Sequence, residues 1–278
     1  MGELLNAFRD PGLPFLRYAL IAGALSSVAF GILGPIVVAR RIGAIAGSIS
    51  HSMLGGIGLA VFLRQEAGWR GCSPEAGALA AALLSAAVIG IVRIRGRERE
   101  DTVIAAVWSV GMAAGVLFLS LTRAAVDPMG YLFGNILLLD AADLVLIAAL
   151  DGVLLVFTAL FYRPLLAVCF DEEFARIRGL RTGVLSLLLF TFVAVTVALL
   201  LPMVGTVLVI ALLTLPAAIA GMFTRHLWSM MVGAAAVAAA FAVAGVVLSA
   251  ATDVPSGAAI VLLLGAAYLG MALFRGGK

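Results

Sequence analysis

Long apolar runs separated by short polar breaks dominate this chain. Nine of them, about 14–39, 43–63, 75–93, 102–121, 141–162, 183–201, 203–222, 228–249 and 257–274, approach or exceed bilayer length. A helix crosses the hydrocarbon core in roughly 20 apolar residues. Only Leu201-Pro202-Met203 parts the sixth run from the seventh. Together those two are about twice the crossing length, so a tight turn is expected there rather than one broken helix. If the pair formed one element, eight helices would remain. The pattern predicts an all-α, polytopic membrane protein with one transmembrane domain over residues 1–278.

Two connections are longer than a turn. Leu121 to Asp140 contains Asp127-Pro128-Met129-Gly130-Tyr131-Leu132-Phe133-Gly134-Asn135, too short and glycine-rich to span and suited to a short surface helix. The loop at about 163–182 carries Phe170-Asp171-Glu172-Glu173-Phe174-Ala175-Arg176-Ile177-Arg178-Gly179. Its acidic residues favour a helix N-terminus, Arg176 and Arg178 a C-terminus, and Gly179 a stop. Phe170, Phe174 and Ile177 fall at i, i+4 and i+7, giving one apolar face opposite a charged one. Such a helix suits a groove on a partner or the bilayer surface.

Composition agrees with the pattern. The chain is 64% hydrophobic and 12% charged, with a mean hydropathy of +1.19; a soluble domain of this length needs far more polar surface. Of the 18 basic residues, thirteen (Arg40, Arg41, Arg93, Arg95, Arg97, Arg99, Arg163, Arg176, Arg178, Arg181, Arg225, Arg275 and Lys278) fall on one side under alternation. Arg9, Arg17, Arg64, Arg70 and Arg123 fall on the other. The richer side is cytoplasmic by the positive-inside rule, which puts the N-terminus outside and the C-terminus inside. The pI of about 9.2 therefore reports topology, and no nucleic-acid partner is expected. Residues 1–11 lack a basic n-region and a small-residue cleavage site, so no removable signal peptide is expected. Cys72 and Cys169 fall in loops on opposite sides, so they are not expected to pair.

The candidate chemistry centres on His51, in Gly47-Ser48-Ile49-Ser50-His51-Ser52-Met53-Leu54-Gly55. Gly43, Gly47, His51 and Gly55 recur every four residues and share one helix face. An ionisable side chain at membrane depth is costly and faces a bundle interior or a pathway. Two readings stay open here: an interhelical hydrogen bond between closely packed helices, and a ligand or relay for a passing cation. Ser48 and Ser52 flank the same face, or satisfy helix carbonyls. Ser50 and His51 point about 100° apart, which excludes a nucleophile–base pair. No phosphate-binding loop is present, and Lys278 is the only lysine. Pro35 and Pro216 are expected to kink their helices, Asp253 to cap the last span, and His226 to be a solvated turn residue. Asp140, Asp143 and Asp151 lie early in the fifth span; Asp151 is the one deep enough to matter for protons.

Several segments together resemble the membrane permease of ATP-binding-cassette importers for zinc, manganese or iron, the family called ABC-3. They are Ser50-His51-Ser52-x-Leu54-x-Gly56-Ile57, Tyr131-Leu132-Phe133-Gly134, Asp171-x-Glu173-x-Ala175-x-x-x-Gly179, Val204-Gly205 with Leu215-Pro216-Ala217-Ala218, and Asp253-x-Pro255-x-Gly257. Each is weak alone; five in family order over nearly the whole chain are specific. The resemblance implies a type II importer permease in a bacterial inner membrane. Its partners would be a second permease chain, identical or paralogous, two cytoplasmic ATPase chains and an extracytoplasmic metal-binding protein. ATP would be bound by the partner, and this chain would not be an enzyme. His51 would meet the metal, Gly47, Ser48, Ser52 and Gly55 would line the path, and Asp171, Glu173, Ala175 and Gly179 would couple to the ATPase. Family members often carry an aspartate where this chain has Gly47, so His51 lacks a neighbouring carboxylate. The alternatives are a permease for iron chelates or corrinoids and an ion-coupled secondary carrier.

Overall fold

A computed structural model describes residues 14–69, 71–96, 98–122, 139–252 and 254–275. The helices among them are α1 (Pro14–Ala39), α2 (Gly43–Gln65), α3 (Pro74–Arg95), α4 (Glu100–Ser120), α5 (Ala141–Phe170), α6 (Glu172–Ile177), α7 (Thr182–Gly221), α8 (Leu227–Thr252) and α9 (Ser256–Arg275). No strand occurs among the described residues. Nine segments are long and apolar enough to cross a membrane, α7 contributing two, Thr182–Leu201 and Val204–Gly221. The all-helical, nine-span expectation therefore holds.

Two breaks fall close to where they are expected, with differences in detail. Near the expected end of the fifth span at about 162 two helices meet in a kink, and the second runs on through Pro164 to Phe170, so only the second half of the 163–182 loop is a separate element. The bend falls at Phe161 (φ −107°, ψ 15°). A proline ring strikes the carbonyl four residues back, here that of Leu160, and the peptide joining Leu160 to Phe161 turns out of helical register. Cys169 consequently lies in a helix rather than a loop; both it and Cys72 are free thiols. In α7, the non-helical residue is Gly205 (φ 75°, ψ 162°), two residues past the expected turn at Leu201-Pro202-Met203. That conformation is open essentially to glycine alone. Pro35 and Pro216 lie within helices whose recorded departures from helical geometry do not include them.

The chain divides into two compact units. One comprises Ile36–Tyr131 and Phe157–Leu201. Within it α2 packs against both α3 and α4 through glycines. A Cβ on Gly55 would lie 2.7 Å from the carbonyl oxygen of Gly111, and Gly58 meets Gly115 in the same way. Gly56 and Gly77 each fill the space the other's side chain would need. Backbones held this close pack well without a water-driven hydrophobic force, as small-residue interfaces in membranes do. Farther along this unit, the rings of Phe157 and Phe192 join α5 to α7 with centroids 4.4 Å apart.

The other unit comprises Met1–Pro35, Leu132–Val156 and Pro202–Lys278. Here Gly31 of α1 lies against Ala235 of α8, Gly34 against the Leu213 carbonyl of α7, and Gly245 of α8 against Ile260 of α9. Phe30, Leu33, Leu213 and Leu264 are buried.

Candidate functional site

His51 sits two turns into α2 and is half-buried. Its imidazole lies flat on the indole of Trp108 from α4, with centroids 4.5 Å apart and planes 9° from parallel. Trp108 donates Nε1–H to Met112 Sδ at 3.1 Å. Neither nitrogen of His51 has a recorded hydrogen bond among the described residues. The ring is thus held by stacking while its polar edge stays available, so the interhelical hydrogen-bond reading finds no support here. Trp108 was not legible as a partner, because nothing in a sequence separation of 57 residues marks two rings as neighbours.

The residues around His51 have different roles. Ser48 is fully buried and donates to the Ile104 carbonyl of α4 at 2.9 Å, so it faces the neighbouring helix rather than open space. Ser50 donates to Ala46 O. Ser52 donates to Ile49 O at 2.8 Å and shares a 2.7 Å hydrogen bond with Ser85 of α3. Gly47 is buried. Ser52 and Gly55 do border open space: a cleft of about 590 Å³ between α2, α3 and α4, walled also by Leu59, Leu84, Val110 and Phe118. His51 is not part of its wall. The lining is overwhelmingly apolar, and a bare cation gains nothing from it. Among the described residues no three of His, Cys, Asp and Glu cluster as a ready metal site.

The second candidate locus is α6, whose residues take the places their chemistry predicts. Asp171 is the N-cap, its Oδ1 accepting Phe174 N–H at 2.8 Å. Ala175 is completely buried. Gly179 stands at φ +83° and closes the helix: its N–H bonds Arg176 O at 3.0 Å and Leu180 N–H bonds Ala175 O at 3.1 Å. This paired ending needs the left-handed conformation that glycine supplies without strain. Glu173 is 79% exposed, with only a long contact of 3.8 Å to Arg176. Phe170, Phe174 and Ile177 are all exposed, Ile177 by 78%. The single helical face expected of them is corrected: Phe170 ends α5, and the extended Asp171 (φ −153°, ψ 97°) interrupts the helix. The Phe174 ring lies 5.2 Å from the Arg178 guanidinium.

An ion-pair cluster that sequence reading missed anchors α6. Glu172 Oε2 accepts from Arg40 Nη2 at 2.9 Å and from Arg93 Nη2 at 3.1 Å. Arg93 Nη1 reaches Glu100 Oε1 at 2.8 Å, and Arg40 Nη2 also donates to Ser186 Oγ at 2.9 Å. The Arg40 side chain is 2% exposed. Burial lowers its pKa, Glu172 opposes that shift, and Arg93 adds to it. These arginines read in sequence only as topology signals; pairing across 132 and 79 residues leaves no local trace.

The membrane carboxylates separate by role. Asp140 Oδ1 accepts Ala142 N–H and Asp143 N–H, and Asp143 Oδ2 accepts Asp140 N–H, a reciprocal cap at the start of α5. Asp151 is 5% exposed, and neither carboxyl oxygen has a hydrogen-bond partner among the described residues. Tyr131-Leu132-Phe133-Gly134, the surface helix expected between Leu121 and Asp140, and the cap at Asp253 lie outside the described residues.

Nine segments among the described residues, each long and apolar enough to cross a membrane, define a multi-pass helical membrane protein. The chain belongs to the ABC 3 transport family, which it matches over residues 12–275. It is 35% identical over 256 residues to a probable metal transport system membrane protein of Chlamydia muridarum, covering 92% of this chain and 87% of that one. It is 32% identical over 250 residues to the manganese transport system membrane protein MntC of Halalkalibacterium halodurans, covering 90% and 83%. The structure of PsaBC from Streptococcus pneumoniae in complex with Fab superposes with a TM-score of 0.83 at 26% identity, covering 96% of this chain and 94% of that one.

Proposed function

We propose that this chain is the permease subunit of an ATP-driven importer for a divalent transition metal ion. It pairs with a second permease chain, identical or paralogous, and works with two cytoplasmic ATPase chains and an extracytoplasmic metal-binding protein. The observation that carries this reading is α6. A six-residue helix, capped at both ends and clamped at its base, presents exposed Phe174 and Ile177, with exposed Phe170 just before its N-cap. A helix this short is marginal alone; holding it rigid suits docking into a partner's groove. The chain shows no nucleotide-binding loop, so hydrolysis belongs to that partner.

His51 meets the ion along the path between the two permeases. It acts as a single neutral-nitrogen contact, because Gly47 supplies no carboxylate. Transit requires binding weak enough to release, and one imidazole per chain meets that need. An imidazole without a carboxylate favours zinc or iron over manganese, whereas relatives such as MntC are named for manganese. Both ions therefore belong in the test. Permease and ATPase reconstituted in vesicles with the binding protein are expected to take up free Mn²⁺ or Zn²⁺ only when ATP is supplied. Uptake of a metal chelate but not the free ion would replace this reading with the chelate permease. Uptake without ATP would replace it with a secondary carrier, for which the buried Asp151 would be the first residue to examine.

The orientation belongs to the same proposal: N-terminus outside, C-terminus and α6 cytoplasmic, in a bacterial inner membrane. It predicts that a membrane-impermeant maleimide labels Cys72 in intact cells. Cys169, half-buried and one residue from the end of α5, should stay unlabelled in intact cells. The reverse pattern would invert the topology.

A further inference from the structure

We propose that Glu172 is a positioning residue: its carboxylate ties the short surface helix to the bases of the two helices that carry the His51–Trp108 stack. The inference rests on the transport reading above and adds to it the route by which movement of α6 reaches His51. Three acidic residues begin this segment, and they divide the work. Asp171 caps the helix, Glu173 faces solvent, and Glu172 alone turns inward to the two arginines.

The two arms of the cluster end in matching places. Arg40 lies three residues before Gly43, the first residue of α2. Arg93 reaches Glu100, the first residue of α4. His51 is eight residues along α2 and Trp108 eight residues along α4. At 1.5 Å per residue both rings stand about 12 Å above their helix bases. A displacement of Glu172 thus reaches both halves of the stack over equal lengths of rigid helix. Exposed ion pairs are weak and carry little. This one differs, because the Arg40 side chain is 2% exposed, is held also by Ser186, and shares a single carboxylate oxygen with Arg93. Removing the carboxylate leaves two neighbouring guanidinium groups, one of them buried, without their common anion.

A purely structural role would weaken assembly without altering how Trp108 answers nucleotide, so that answer is the readout. Permease labelled with fluorotryptophan is assembled with unlabelled ATPase. The ¹⁹F resonance of Trp108 is then followed as a non-hydrolysable ATP analogue is added, with Trp69 and Trp228 as internal references. In Glu172→Gln the nucleotide-dependent shift of Trp108 is expected to fall at least threefold while the ATPase stays bound, and uptake to fall at least tenfold. A full Trp108 shift in that variant overturns the proposal. If Glu172→Gln fails to assemble, Glu100→Gln decides, since it removes only the outer bond: the shift should fall about twofold, and an unchanged shift overturns the proposal. Uptake by the wild-type assembly tests the transport reading separately, so the two can fail independently.

Discussion

His51→Leu should reduce metal uptake to the level of vesicles lacking the importer, a loss of tenfold or more, while the ATPase copurifies in unchanged ratio. Leucine roughly preserves the volume of the ring and is at home in a membrane helix. The substitution gives up the face-on contact with Trp108, worth about 1 kcal/mol for an aromatic pair, and leaves the packing of α2 intact. That packing is carried elsewhere, by Ser48 on Ile104, by the Ser52–Ser85 bond and by the glycine contacts with α3 and α4. What leucine removes is the nitrogen pair with no recorded hydrogen-bond partner. A tenfold change corresponds to about 1.4 kcal/mol, well within what one lost ligand contributes. His51→Asn restores a polar contact and should recover part of the uptake. Normal uptake by His51→Leu would remove the residue from the path. Trp108→Leu should have the milder effect, since it loosens the ring's position without deleting the ligand.

Ile177→Lys should separate permease from ATPase. Ile177 is 78% exposed and touches little within its own chain, so the fold has almost nothing to lose. A lysine in the last turn interacts favourably with the helix dipole, and α6 itself is not weakened. If the apolar face docks in a partner groove, the same change buries an ammonium group in an apolar interface. Central interface positions of this kind cost about 2 kcal/mol or more, roughly a 30-fold loss of affinity. Copurification of the ATPase checks this directly, with membrane insertion of the permease as the control. Retention of the ATPase at wild-type affinity would leave the apolar face to the bilayer surface instead. Gly179→Ala acts on the same locus by another route. It forces a Cβ into φ +83° at a cost of about 1–2 kcal/mol, unseats the helix ending, and should lower uptake more than it lowers insertion.

The sequence carried the architecture far because membrane crossing is a constraint on composition. Each span must be long, apolar and helical on its own account, so the nine spans, the small helix and its boundaries at Asp171 and Gly179 all leave local signatures. Chemistry confined to one turn was legible for the same reason: the cap at Asp171 and the stop at Gly179. Where two local signals competed, the reading slipped. Pro164 goes with a kink at Phe161, three residues before it, and helical structure resumes through it to Phe170. Gly205, and not Pro202, became the break in α7, because only glycine reaches φ 75°, ψ 162° without strain.

His51 was visible as an anomaly, an ionisable group on a glycine-rich helix, but its setting was not. Whether Ser48 would face a path or a neighbouring helix depends on how α2 is rotated against α4, and helical periodicity is silent on rotation. The stack on Trp108 and the sharing of Glu172 between Arg40 and Arg93 arise from contacts 57, 132 and 79 residues apart. The sequence by itself determined the spans, the short helix with its cap and stop, and the identity of the candidate ligand, since each follows from properties of neighbouring residues. Only the tertiary structure decided which side chains meet, because the packing of one helix on another is settled by the fit of whole surfaces.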